Sequence, residues 1–442
     1  MADWYPTTAA EIITAVESSA SPGDTVHVPA GTFTLSSTLT IPAGVALVGA
    51  GEGITIIAGS ISASLAGSVD AITIRDLTVD VSGGEHLVYL TDGIINLTDV
   101  TVEGPATNTQ NLLRIYAAAN ATTATLTRVT ATHSSRDCIS FGAASDALGL
   151  LSSATLTDCS ASDPGGSATH NCLTTHDSFA IVDTNGSYDG TGNQGYTVVA
   201  AEAADKISLI GTTVIGHVEA WRLTGCTVTM SGIADSVVEL MGDDAYAIRC
   251  RVTGDGSATS GISIKVANPR VESCWISDCG GRAVLGSSLT TGDPVVVNNR
   301  AENCGYGFDF GVATNQDSIT CQNNTESSTS AYWAFLASGT VPTITGGGNT
   351  FENNTDVDYG DAQTGDAFGT TPAFSAGLPV ADGNVHLNGI TSVSLLSSYD
   401  INGNPRKPGG LISRGPAEIP QDDARPGLSG LSAMSGLSGG GL

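Results

Sequence analysis

Apolar and polar residues alternate over short stretches of this chain, and the stretches recur about every two dozen positions. Leu77/Val79, Val100/Val102, Cys226/Val228, Cys250/Val252 and Cys274/Ile276 each set two apolar side chains on one face of a short strand. Asn299 and Cys321 extend this first series, in which Cys226, Cys250 and Cys274 stand 24 residues apart twice in succession. A second series begins at Leu87, Leu112, Cys138, Cys172, Tyr196, Val237, Gly261, Gly307 and Trp333, with most steps of 22–26 residues. A repeat of this size cannot bury its own apolar face, so the pattern predicts a solenoid whose coils stack one on the next. About 12–13 coils at the ~4.8 Å strand spacing make a rod roughly 60 Å long. The interval from Gly211 to Gly225, only 14 residues, does not fit and leaves the register around 205–230 unassigned.

Ahead of the repeats, Thr8 and Glu11 form a capping box before Ile12, Ile13 and Val16, which predicts a short helix within 1–20 covering the first coil. The regular body is expected over 21–375, a closing segment over 376–420, and a Gly/Ser/Leu-rich tail over 421–442.

The opening carries a family resemblance. The segments Pro22-Gly23-Asp24-Thr25-Val26, Pro29-Ala30-Gly31-Thr32-Phe33 and Ile41-Pro42-Ala43-Gly44-Val45 follow the capping helix. Together they resemble the start of pectate-lyase-like right-handed parallel β-helix proteins. Tyr399-Asp400-Ile401-Asn402-Gly403-Asn404-Pro405-Arg406 is similar to the segment that closes many bacterial and phage β-helix proteins. The resemblance implies an all-β, single-stranded, right-handed parallel β-helix. It does not select a chemistry, because lyases, hydrolases, epimerases, phage tailspikes and non-catalytic surface proteins share that fold.

Charge narrows the partners. The net charge is -28, with 16 basic against 44 acidic residues, which opposes binding to nucleic acid and to anionic membranes. No apolar run approaches the ~18 residues of a membrane span. The start at Met1 shows no basic and apolar leader, and the nine cysteines are odd in number. Both predict reduced, inward thiols and folding in the cytoplasm, with the mature protein on a virion or cell surface.

Three constellations are candidates for chemistry. Gly242-Asp243-Asp244-Ala245-Tyr246-Ala247-Ile248 resembles the Gly-Asp-Asp motif of polygalacturonases, but Ser260 stands where that family carries a histidine. The resemblance makes Asp243 and Asp244 candidate acid/base carboxylates, and Glu239 joins them as a third. His170, His176 and Asp177, with His133, Arg136 and Asp137 one coil earlier, form a polar set suited to sugar hydroxyls or to proton abstraction beside a uronate carboxylate. Glu219, Trp221, Arg222 and Glu239, with Lys265 and Asp309 beyond, place charges and an aromatic ring on one outward row, as a sugar-binding groove requires. His176, Asp177, Arg136, Glu219, Trp221 and Arg222 are thus the expected substrate contacts.

No cofactor is expected. Calcium is the one ion considered, through Asp356, Asp358, Asp361 and Asp366, where Ala367 breaks the EF-hand spacing. The expected function is that of a structural or adhesion β-helix, virion-associated and carbohydrate-binding. Its expected partners are polysaccharide or other virion or surface proteins, and it is expected to form a homo-oligomer, with a trimer among the candidates. The alternative is a polysaccharide lyase or polygalacturonase-like glycosidase acting on an acidic polysaccharide.

Overall fold

The computed structural model describes residues 1–327 except 66–69, 81–87, 105–110, 135, 145–151, 163–169, 192–195, 202–204, 231–235, 287–291, 310–317 and 323. Short strand segments between 343 and 379 are described as well. Trp333, the acidic stretch Asp356–Asp366 and everything from 380 onward lie outside the described residues.

The chain winds as a parallel β-helix with three faces. A 27-stranded sheet wraps the first and second faces, and a 12-stranded sheet forms the third. Every coil-to-coil pairing in these two sheets is parallel, as along Leu97↔Leu126 and Leu126↔Leu156. Stacking puts like residues in rows that run down the inside. On the first face one row reads Val26, Leu47, Ile74, Leu97, Leu126, Leu156, Asp183, Leu209, Leu223, Ala247, Val271, Val296, Cys321. One carboxylate therefore stands in an otherwise apolar row.

The corner between the first and second faces is built from single left-handed residues: Asp76, Asp99, Arg128, Asp158, Asn185, Gly211, Gly225, Arg249, Ser273 and Asn298. Asp and Asn tolerate this backbone region better than other side chains, which accounts for their share of the column. The residue after each corner turns inward, and this is the place of Cys226, Cys250 and Cys274. Each precedes its strand (Thr227–Thr229, Arg251–Thr253, Trp275–Ser277) and is fully buried. Their thiols donate to carbonyl oxygens inside the coil, Cys226 Sγ to Leu209 O at 3.3 Å and Cys274 Sγ to Ala247 O at 3.3 Å. All nine cysteines are buried free thiols.

Asn299 continues this row, but Cys321 does not; it belongs to the first-face row opposite Val296. The next member is Asn324, whose Oδ1 accepts from the Asn299 backbone N–H at 2.9 Å. A spacing close to the period is not sufficient to place a residue, because one extra residue shifts it around the corner.

The short interval between Gly211 and Gly225 is a complete coil without loops. It runs through Thr213–Ile215, His217–Ala220 and Arg222–Thr224, each paired in register with its neighbours. Gly216 makes its tight corner with φ +125, and an added Cβ would fall 1.9 Å from Thr197 Oγ1. At the start of the chain the helix Ala9–Thr14 carries the capping box between Thr8 and Glu11, and Ile12 and Val16 are fully buried against the first coil. No helix among the described residues is long and apolar enough to cross a membrane.

Candidate functional site

Side chains that point away from the core on the third face form their own rows. Register pairing aligns Glu219, Glu239 and Ser263 on three successive coils. Two coils further on, Asp309 lies in register with Leu285. The alternation of each strand dictates this: in His217–Ala220 the inward residues are Val218 and Ala220, which leaves His217 and Glu219 facing out.

Although outward, the middle of the row is sheltered. His217 is 1% exposed and Glu239 6%. The Tyr196 ring meets the His217 imidazole edge-on, 4.3 Å between centroids. His217 Nδ1 bonds the Ser236 carbonyl oxygen, so Nδ1 must carry the proton, because a carbonyl can only accept. That orients Nε2 toward Glu219, 4.0 Å from Oε1. On the next coil Lys265 Nζ is 2.7 Å from Glu239 Oε1. Ser263, beside Glu239, is buried and its hydroxyl finds no partner among the described residues.

At the edge of this row the chain turns into the first face, and Trp221 sits at that turn. Its indole N–H donates to the Asp243 carbonyl oxygen at 2.9 Å. The Arg222 guanidinium carbon lies 3.5 Å from the Trp221 ring centroid and 5.0 Å from that of Tyr246. Lys206 Nζ approaches the same indole at 4.8 Å. A chain of net charge -28 thus gathers two of its 16 basic residues on one aromatic ring. Further along, Arg282 Nε pairs with Asp309 Oδ2 at 2.7 Å.

The structure brings Glu219, Glu239, Trp221, Arg222 and Lys265 together on adjoining coils. It places Asp243 and Asp244 in an exposed turn after Val238–Leu240. There the Asp243 carboxylate accepts from the Ala267 N–H at 3.3 Å, and Asp244 takes a left-handed φ of 57. Both residues thereby shape the turn. Arg136 and His176 are exposed ends of a separate cluster, three and two coils before Glu219, and Asp177 turns the chain with φ 62. In that cluster Asp137 is buried and accepts from the backbone and side-chain amides of Asn171 at 3.0 and 3.1 Å. Burial pushes its carboxyl above the usual range, while the Asn171 N–H and the charges of His176 and Arg136 pull it back.

His217, Tyr196 and Ser263 were not among the expected site residues. The available signal was the alternation His-Val-Glu-Ala in the unassigned 14-residue coil. It is obscured because the pairing with Tyr196–Ala200 shifts register between Tyr196 and Val198.

Residues 208–374 match the family described as "Right handed beta helix region". With the parallel coils and three faces, this gives the fold as a right-handed parallel β-helix. Among solved structures, the A-module of a mannuronan C-5 epimerase of Azotobacter vinelandii is similar at 15% identity, over 84% of this chain and 97% of that one, with a TM-score of 0.42. A PL6 family polysaccharide lyase from Pseudopedobacter saltans is similar at 14% identity, over 80% and 93% of the two chains, with a TM-score of 0.48. Tailspike protein 3 of bacteriophage CBA120 is similar at 12% identity, over 84% and 60%, with a TM-score of 0.45. No curated protein matches the sequence.

Proposed function

We propose that the protein is a carbohydrate-recognising β-helix, an adhesion or virion-associated component that holds a polysaccharide along its outward third face. The observation that carries this reading is Trp221 beside the Glu219–Glu239 row. Its indole gathers Arg222 and Lys206 against it as charged donors, and the carboxylates next to it supply acceptors for sugar hydroxyls. The two cations on the ring favour a glycan that itself carries carboxylate or sulfate groups, despite the acidic chain as a whole.

A second reading rests on the carboxylates alone. Glu219 and Glu239 come from adjacent coils, and together with His217 they bring a ligand atom each within 4.8 Å of one another. Acid/base cleavage of a glycosidic bond uses such a pair, and the short separation is nearer the ~5–5.5 Å of retaining enzymes than the wider inverting arrangement.

Affinity electrophoresis of the full chain in gels containing acidic or neutral polysaccharides tests the first reading. Retardation by an acidic glycan that is weakened by Trp221→Ala is expected; no retardation by any glycan overturns it. Release of reducing ends or of unsaturated products, abolished by Glu239→Gln, would instead establish the second.

A further inference from the structure

We propose that His217, Glu219 and Glu239 form a binding site for one divalent cation of the zinc or manganese type. The site goes beyond the reading of a glycan groove, since it needs no sugar to form.

The geometry is that of a prepared ligand set. One nitrogen or oxygen from each residue lies within 4.8 Å of the other two. Bonds of about 2.0–2.2 Å to nitrogen and oxygen bring the three atoms onto one ion with rotamer adjustments alone. His217 is held as a ligand usually is: Nδ1–H is committed to the Ser236 carbonyl, which fixes the tautomer and turns the basic Nε2 toward Glu219. At 4.0 Å the two atoms are too far apart for a direct hydrogen bond, but the gap accommodates an ion.

The second observation is Ser263. Its hydroxyl is buried on the same outward row, next to Glu239, and has no partner among the described residues. A buried hydroxyl left unsatisfied is destabilising, so its natural partner is a water bound to an ion on the neighbouring Glu239. The donor set also selects the ion. An imidazole nitrogen with two carboxylates suits zinc or manganese, whereas calcium takes six to eight oxygens, which this site does not supply.

Lys265 is the device that keeps the site stable without the ion. Its ammonium holds Glu239 Oε1 at 2.7 Å, while its side chain is 44% exposed and free to swing into solvent. An arriving dication therefore competes with a tethered monocation for the same carboxylate. Removing the ammonium should tighten ion binding, an outcome that a purely structural ion pair would not produce.

Calorimetric titration of the full chain with zinc chloride or manganese chloride, in the absence of glycan, tests the assignment. Cobalt absorption serves as an independent readout of nitrogen ligation. One ion per chain is expected, with affinity about tenfold or more lower in Glu219→Gln and His217→Ala and higher in Lys265→Met. Lys265 is half-exposed, so Lys265→Met keeps the test valid should His217→Ala fail to fold. No stoichiometric binding in either the natural chain or Lys265→Met overturns the site, as does binding unchanged in Glu219→Gln, or calcium bound as tightly as zinc. Glycan retention is measured separately, so failure here leaves the polysaccharide reading standing, and the converse holds too.

Discussion

Inside the solenoid the Tyr188 hydroxyl donates to Asp183 Oδ1 at 3.1 Å, and both side chains are cut off from water. Thr212 donates to the other oxygen at 2.6 Å. These two donors and the Gly186 backbone N–H, all neutral, do not offset the burial of a full charge, and burial pushes the Asp183 carboxyl up to about 6. An unfolded aspartate sits near 3.9, so the folded state binds this proton more tightly. The stabilisation is then fully present below about pH 4 and is lost as pH rises through about 6. Asp183→Asn keeps the shape without the charge. Thermal melts should show it more stable than the natural chain by about 2 kcal/mol near pH 7.5, with no advantage near pH 4. An equal loss of stability at both pH values would contradict the assignment.

The Asn299 side chain is satisfied on both ends. Its Oδ1 accepts from the Cys274 N–H at 2.9 Å, and its Nδ2 donates to Val271 O at 2.9 Å and to Asn324 Oδ1 at 3.1 Å. Asn299→Ala strands these buried groups and leaves a cavity. A loss of about 2–4 kcal/mol, read by denaturant unfolding, is expected. Exposed Ser257, whose hydroxyl donates to Asp255 Oδ1 at 2.6 Å, provides the control, and its alanine variant should cost less than about 1 kcal/mol.

Gly216→Ala combines a disfavoured backbone conformation with a direct collision against Thr197 Oγ1. A loss of about 2–4 kcal/mol is expected. Thr197→Ala in the same chain removes the collision but not the backbone strain, so a double-mutant cycle should recover only part of it. Full additivity would show that the corner relaxes without feeling Thr197.

The thiols should be inert while the chain is folded. Burial pushes Cys159 up to about 11 and raises Cys250 well above its ordinary value. For Cys226 the raising comes first from the hydrogen bond with Cys250 and then from burial. Because the thiolate is the reactive form, a thiol-specific disulfide reagent should label the native chain only at the rate of unfolding. In denaturant it should label all nine cysteines. Rapid native labelling of several thiols would refute the buried rows.

Strand alternation made most of the third face legible, including the strands at Val88, Leu113, Ile139, Leu173, Tyr196, Val238, Ser260 and Tyr306. The strands His217–Ala220 and Arg282–Gly286 were not legible. The first lies in a coil without loops, which removes the period that located the others. The second follows Gly280-Gly281, a pair that reads as a turn. Glu239 could be placed outward from the alternation of its strand, and Glu219 was expected on the same row although its own strand was not assigned. Their meeting with His217 could not be placed, since it depends on a register shift and on a carbonyl acceptor at Ser236. Nor could Asp183, because nothing local marks a carboxylate that the stacking will place in an aliphatic row.

The column of left-handed corners has a consequence for how the chain acquires its shape. Away from glycine, each such corner costs of order 1 kcal/mol or more that a lone coil cannot recover, since the stacking contacts that stabilise it come from its neighbours. The rod should therefore assemble by templated growth, each finished coil acting as the mould for the next. Time-resolved hydrogen exchange would then show protection spreading along the axis as a front, rather than rising everywhere at once.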